Sequence, residues 1–127
     1  MDETSAIPSP APAAPPVEEI TRRIVEAFSP VRVVMFGSRA RGDQRPDSDV
    51  DIFVEMETDR GHYDRMRAVS GLFPSRRWGM DVIVFTPAEV AEHRDYRNSI
   101  LRIIESEGKM LYERTVGEPV RQGEGPR

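Results

Sequence analysis

Two short apolar segments, separated by a turn bounded by glycines, constrain the fold of this chain more than any other feature. Residues 31–36 form a largely β-branched run that ends at Gly37, and residues 49–55 alternate between two kinds of side chain. Side chains two apart on a strand share a face. One face of the second segment carries Asp49, Asp51 and Phe53, and the other carries Val50, Ile52 and Val54. The pattern predicts two strands, the second with a core face and a face that begins with two carboxylates.

The remaining segments alternate between helical and strand patterns. In chain order we expect an amphipathic helix over 17–28 stopped by Ser29-Pro30, a helix over 61–73 with Met66, Val69, Leu72 and Phe73 inward, a strand over 80–85, a helix begun by Thr86-Pro87, a helix over 96–106 that ends at Gly108, and a strand over 109–112. The alternation predicts one α/β (α+β) domain in which helices flank a small mixed sheet.

Composition limits the class of protein. The 127 residues fit one domain, and no apolar run approaches the roughly 18 residues that cross a bilayer, so we expect no membrane partner. The acidic, then Ala/Pro-rich opening is unlike a secretory signal, which favours the cytoplasm. A net charge of -4 argues against a broad grip on nucleic acid. We expect residues 1–16 to be a disordered Pro/Ala-rich tail, 17–113 the folded domain and 114–127 a flexible C-terminal tail.

Three aspartates are expected at one edge of the sheet. Asp49 and Asp51 point the same way about 6.6 Å apart on their strand. A helix joins that strand to the 80–85 strand, as is usual for parallel neighbours, so Asp81 should begin its strand at the same edge. Three carboxylates repel one another unless a cation lies among them. Magnesium is the expected cation because it also takes phosphate oxygens, and two ions could clamp an in-line displacement at phosphorus.

The glycine-bounded turn is expected to hold phosphates at that same edge. The short connection over 38–48 predicts that the first two strands are antiparallel, which brings Gly37 and Ser38 toward the aspartates. Gly37 suits a turn where phosphate approaches bare backbone, and Ser38 should open a short helix with a hydroxyl and N–H groups directed at an anion. Arg39 and Arg41 are either further phosphate ligands or solvated surface charges.

Two other nucleotide and metal motifs fit the sequence less well. An EF-hand over Asp47, Asp49 and Asp51 lacks its glycine and its final glutamate, and a P-loop starting at Gly37 lacks its Lys-Ser/Thr pair. His62 and His93 are isolated and are interpreted as surface or structural residues. Trp78 could stack on a base or pack against the 80–85 strand. The apolar residues over 100–104 are either deeply packed or part of an interface.

Together these motifs resemble the minimal nucleotidyltransferase family of the DNA polymerase β-like superfamily. The resemblance covers Gly37-Ser38, the spacer with Arg39 and Arg41, Asp49-Val50-Asp51 and Asp81-Val82-Ile83-Val84. It implies a polymerase β-like nucleotidyltransferase fold, a nucleoside triphosphate donor and magnesium. It also implies that Asp49, Asp51 and Asp81 are catalytic metal ligands and that the Gly-Ser turn binds the triphosphate.

Many short members of that family resemble the antitoxin of a module whose other half is a HEPN-type ribonuclease toxin. The resemblance therefore implies transfer of AMP from ATP to a tyrosine hydroxyl of such a toxin. Two alternatives stay open: an antitoxin that acts by stoichiometric binding without catalysis, and a nucleotidyltransferase for a small hydroxylated molecule such as an aminoglycoside.

Overall fold

Five helices and four strands make up residues 14–114, the part of the chain that the computed structural model describes. They are α1 (Val17–Phe28), β1 (Arg32–Phe36), α2 (Ser38–Arg41), β2 (Val50–Glu55), α3 (His62–Ser70), β3 (Met80–Phe85), α4 (Pro87–His93), α5 (Ile100–Glu107) and β4 (Lys109–Glu113). The expectations for residues 1–13 and 115–127 lie outside the described residues. None of the helices within 14–114 combines the length and the apolar character needed to span a bilayer.

The four strands form one mixed sheet in the order β3-β2-β1-β4. As expected, β1 is antiparallel to β2, and β2 is parallel to β3, with Asp51 opposite Asp81. The β1–β2 register places Phe36, the last residue of β1, opposite Asp51. Strand β4 pairs antiparallel with the free side of β1. The ends of β1 and the starts of β2 and β3 therefore meet at one edge.

Both faces of the sheet are covered, so the core has two layers. The predicted faces of β2 separate cleanly: Val50, Ile52 and Val54 belong to one cluster and Phe53 to the other. The first cluster includes Ile20 and Ile24 of α1 together with Val69 and Phe73. The second comprises Val34, Phe36, Phe53, Val90, Leu101 and Ile104. The face that begins with aspartates thus continues as the core beneath α4 and α5.

Local signals set most helix ends where the sequence predicts them. Ser29 takes a left-handed conformation (φ 47°) and its N–H donates to Val25 O, which ends α1. Thr86 and Glu89 form a reciprocal capping box that starts α4. Helix α5 is shorter than expected: it begins at Ile100 instead of residue 96, because the Ser99 hydroxyl accepts a hydrogen bond from the N–H of Leu101 at 3.1 Å and caps the helix there.

Helix α3 ends at Ser70, three residues earlier than expected, because the N–H of the capping Gly71 turns back to the carbonyl of Arg67. The orientation expected for the helix is also wrong at one position. Met66 is exposed, whereas the neighbouring Arg65 is buried. Arg65 reaches across to the carboxylate of Glu89 on α4 at 2.7 Å and to the carbonyl of Arg60 at 2.8 Å. These charge-assisted bonds compensate the burial of the guanidinium, which apolar spacing alone does not anticipate.

Candidate active site

A pair of carboxyl groups lies where β2 and β3 begin. Asp51 and Asp81 are direct neighbours in the parallel register, so both side chains leave the same face of the sheet. Partial burial, the charge of Asp81, a hydrogen bond with Asp81 and the charge of Asp49 raise the pKa of Asp51 to about 6. The fold thus concentrates negative charge at this edge of the sheet.

Gly37 lies so close to Asp51 that no side chain would fit at residue 37. A Cβ built on Gly37 would lie 2.0 Å from Oδ2 of Asp51, and the backbone there has a φ of 78° that favours glycine. Gly37 also caps α2: its carbonyl accepts the N–H groups of Ala40 and Arg41, each at 3.0 Å. Within the described hydrogen bonds these are the first amides of the helix to be paired, so the N–H groups of Ser38 and Arg39 are available to an anion.

Asp49 approaches the same edge one residue before β2, and it lies against a second glycine. A Cβ on Gly79, the residue before β3, would lie 1.8 Å from Oδ1 of Asp49. The strands are joined at this point by the N–H of Val50, which donates to Gly79 O at 2.9 Å. Asp49 is also close enough to Asp51 for its charge to raise the pKa of Asp51. Asp51 on β2 and Asp49 just before it therefore each have a glycine beside them.

Arg39 braces the loop that leads into Asp49. Its Nε donates to the carbonyl of Ser48 at 3.1 Å and its Nη2 donates to the carbonyl of Pro46 at 3.2 Å. The same loop is closed by two bonds between Arg45 and Ser48, one backbone to backbone and one from the Arg45 N–H to the Ser48 hydroxyl. The loop before Asp49 is therefore a hydrogen-bonded turn, and the strand after it is paired with β3. The segments on both sides of Asp49 thus fix its position. The expectation that Arg39 binds phosphate stays a prediction.

Arg41 provides the nearby positive charge. It forms ion pairs with Asp43 at 3.2 Å and Glu107 at 3.4 Å, and its charge lowers the pKa of Asp51 against the four effects that raise it. Both ion pairs are solvent-exposed and are therefore weak. Arg41 can leave them for a stronger anion at modest cost, which suits the phosphate role predicted for it.

The site has the chemistry of a divalent cation site but is not a closed ligand cage. Within residues 14–114, no three acidic or histidine side chains are gathered tightly enough to form a metal site by themselves. Asp51 and Asp81 nevertheless lie side by side, and a cation between them would relieve the repulsion that adds to partial burial in raising the pKa of Asp51. Magnesium usually takes one or two carboxylates and completes its shell with phosphate and water, so the residues present fit it.

The other singled-out residues lie away from these carboxylates or pack elsewhere. Trp78 packs against Phe73, with ring centroids 6.4 Å apart, on the opposite face of the sheet. His62 is exposed, and His93 lies between the rings of Phe85 and Tyr96. These positions agree with a structural or surface role for all three residues.

The sequence interpretation missed one residue of this edge, Gly79. The signal was present: Gly79 precedes Asp81 by two residues, as Asp49 precedes Asp51, so in a parallel register the glycine must face Asp49. Gly79 lies one residue before the first apolar residue of the strand pattern over 80–85, so the alternation of that strand does not include it.

Comparisons with known proteins agree with this architecture. The sequence model of the nucleotidyltransferase domain matches residues 17–114. No curated protein sequence matches the chain. Among solved structures, a candidate nucleotidyltransferase from Sulfolobus solfataricus is 28% identical, with a TM-score of 0.54 over 76% of this chain and 77% of that chain.

Two toxin–antitoxin structures are more distant. A mutant of the toxin–antitoxin MntA-HpeT is 14% identical, with a TM-score of 0.50 over 79% of this chain and 75% of that chain. A toxin–antitoxin solved with AMP-PNP is 17% identical, with a TM-score of 0.49 over 78% of this chain and 75% of that chain. The Sulfolobus and MntA-HpeT structures share the fold described above.

Proposed function

Since this chain belongs to the nucleotidyltransferase domain family, we propose that it transfers AMP from ATP to a tyrosine hydroxyl of a partner protein, with magnesium as cofactor. One observation carries the proposal: the Asp51–Asp81 pair lies on adjacent parallel strands directly beside the Gly37-Ser38 turn. Negative side chains that collect a cation and a turn that accepts an anion are the two halves of a nucleoside triphosphate site.

The reaction follows from these groups. The acceptor hydroxyl oxygen bonds to the α-phosphorus of ATP, the bond from that phosphorus to the bridging oxygen breaks, and pyrophosphate leaves. Asp49, Asp51 and Asp81 would hold magnesium, which supplies charge neutralisation for the phosphates and the developing alkoxide. The hydroxyl proton passes to a carboxylate oxygen of the Asp51–Asp81 pair, which lies beside the Gly37-Ser38 turn. Gly37, Ser38 and Arg41 orient the triphosphate so that the displacement is in line.

The partner is proposed to be a toxin of the HEPN ribonuclease class. Support comes from the minimal nucleotidyltransferase resemblance of the motif and from the fold shared with MntA-HpeT, which is described as a toxin–antitoxin. The described residues form one small domain with the carboxylates at one edge of its sheet, which suits an acceptor presented by another protein.

The test is label transfer to a co-purified partner. With magnesium and the partner, ATP labelled at the α-phosphate should label the partner, whereas ATP labelled at the γ-phosphate should not. Asp51→Asn and Asp81→Asn should each lower the rate at least about a hundredfold, because each removes transition-state charge stabilisation. Asp59→Asn changes an exposed aspartate in the loop after β2 and is the matched control. Label from the γ-phosphate, or full activity in Asp51→Asn, would refute the proposal.

Stoichiometric binding is the second candidate, and exposed apolar side chains on α5 and β4 favour it. Ile103 is 44% exposed and Met110 is 48% exposed, although Leu101 and Ile104 of the same helix are buried. The Asp51→Asn chain separates the two candidates. If this variant binds the partner and still neutralises it, binding alone is sufficient for neutralisation. If the variant binds the partner without neutralising it, neutralisation requires nucleotidyl transfer.

A further inference from the structure

Gly79 faces the carboxylate of Asp49 across the β2–β3 register. The three heavy atoms nearest to a Cβ built on Gly79 all belong to the Asp49 side chain: Oδ1 at 1.8 Å, Cγ at 2.6 Å and Oδ2 at 3.4 Å. We propose that Gly79 is a positioning residue, whose bare Cα gives the Asp49 carboxylate the space that keeps it beside Asp51 and Asp81. The inference rests on the proposed function for its catalytic meaning, and on the contact alone for its structural one.

The position of Gly79 is fixed by its neighbours. Its carbonyl accepts the N–H of Val50 at 2.9 Å, which joins it to the residue after Asp49. On either side of it, Trp78 and Met80 pack into the core cluster on the opposite face. Gly79 therefore cannot retreat from Asp49 without disturbing two anchored residues, and a side chain added there must displace the carboxylate instead.

The glycine is not explained by backbone conformation. Among the glycines of residues 14–114, only Gly37 and Gly42 have a positive φ, so alanine meets no conformational penalty at residue 79. Gly108 is a useful contrast, because a Cβ there would lie 2.3 Å from the carbonyl oxygen of Ile104 and 2.5 Å from Cγ1 of Val34. Gly108 is required by packing against backbone and core, whereas Gly79 is required by one movable carboxylate.

Gly79→Ala should therefore fold normally and lose function. The end of an aspartate side chain moves more easily than a strand, so the variant should keep its melting temperature and turn Asp49 away. Mn²⁺ alone is a suitable probe of the carboxylates. We expect its affinity to fall roughly tenfold, as for other groups that orient metal ligands, and kcat/KM for transfer to fall roughly a hundredfold.

The experiment is a double-mutant cycle on the full chain, read by Mn²⁺ titration and by thermal unfolding. The four proteins are wild type, Gly79→Ala, Asp49→Ala and the double variant, and Gly61→Ala is the control because nothing lies within 4 Å of a Cβ there. If Gly79 acts through Asp49, Gly79→Ala weakens Mn²⁺ binding only when Asp49 is present. Equal weakening in the Asp49→Ala background, or none in either, would overturn the inference.

A crystal structure of Gly79→Ala tests the contact independently of any activity. The inference expects the Asp49 carboxylate to move while the strands stay in register, and an unmoved carboxylate would refute it. Failure of the proposed function looks different: the cycle and the crystal structure would behave as expected, and no partner would be labelled.

Discussion

Ionised Asp51 lowers the stability of the folded chain. Its pKa is raised to about 6 from an ordinary value of 3.8 by partial burial and by the neighbouring Asp81 and Asp49. Between these values the folded chain binds more protons than the unfolded chain, so this group makes the fold less stable as pH rises from about 4 to about 6. At neutral pH without a cation, the ionised Asp51 therefore opposes folding.

We predict that Asp51→Asn stabilises the metal-free protein. In EDTA at pH 7 its free energy of unfolding should exceed that of wild type by about 1 kcal/mol, a value reduced for solvent screening of this partly exposed group. The difference should shrink as pH falls from 7 to 4, because wild-type Asp51 then regains its proton. Urea unfolding at several pH values measures it. A gain that is the same at pH 4 and pH 7 would show that another effect is responsible.

Helices α3 and α4 are joined through one buried cation. Arg65 donates to Glu89 at 2.7 Å and to the carbonyl of Val84 at 3.3 Å, and the same Glu89 oxygen accepts the N–H of Thr86 in the capping box at 2.9 Å. Glu89 thus serves both the start of α4 and the charge of α3, and these bonds lower the pKa of Glu89, with Arg65 the largest cause. The two helices are coupled through charge as well as through apolar packing.

Arg65→Ala should be strongly destabilising for that reason. It leaves a carboxylate and two carbonyls without their donor, and we expect a loss of about 2–4 kcal/mol in the free energy of unfolding. Arg67→Ala, on the exposed side of the same helix, should cost less than about 1 kcal/mol and serves as the control. Urea denaturation of both variants gives the comparison. Equal losses in the two variants would contradict a specific role for Arg65.

The Arg65–Glu89 ion pair also shows what sequence patterns can and cannot predict. The faces of β2, the cap at Thr86 and the Asp51–Asp81 register follow from local periodicity and chain connectivity, and the structure confirms them. Arg65 could not be found that way, because its burial depends on Glu89, 24 residues later on another helix. Gly79 is an intermediate case: the glycine is visible in the sequence, but its role follows only from its position opposite Asp49 in the β2–β3 register.

The molecule keeps its buried ion pairs at the opposite end of the sheet from its carboxylate edge. Arg32 at the start of β1 contacts Glu55 at the end of β2 at 2.6 Å, and it also contacts Glu105 of α5 at 3.0 Å. Glu105 in turn accepts from Arg94 at 2.8 Å. Glu55 lies four residues along β2 from Asp51, or about 13 Å at the usual rise of a strand.

Stability and transfer should therefore be separable. Arg32→Ala leaves Glu55 buried without its partner, and we expect a loss of about 3–5 kcal/mol in the free energy of unfolding. The rate of transfer per folded molecule should stay within about twofold of wild type, because distant sites act independently. Thermal unfolding and label transfer at a temperature where the variant is folded provide the two measurements. A large loss of transfer under those conditions would show that the two ends are coupled.

The pairing of Asp51 with a residue 30 positions later has a consequence for biosynthesis. Strand β3 must be translated, must follow α3 and must dock beside β2 before Asp51 and Asp81 are neighbours. A nascent chain on the ribosome that ends before β3 has only half of the carboxylate pair. If the pair acts as proposed, a chain that terminates before Asp81 should therefore transfer no nucleotide.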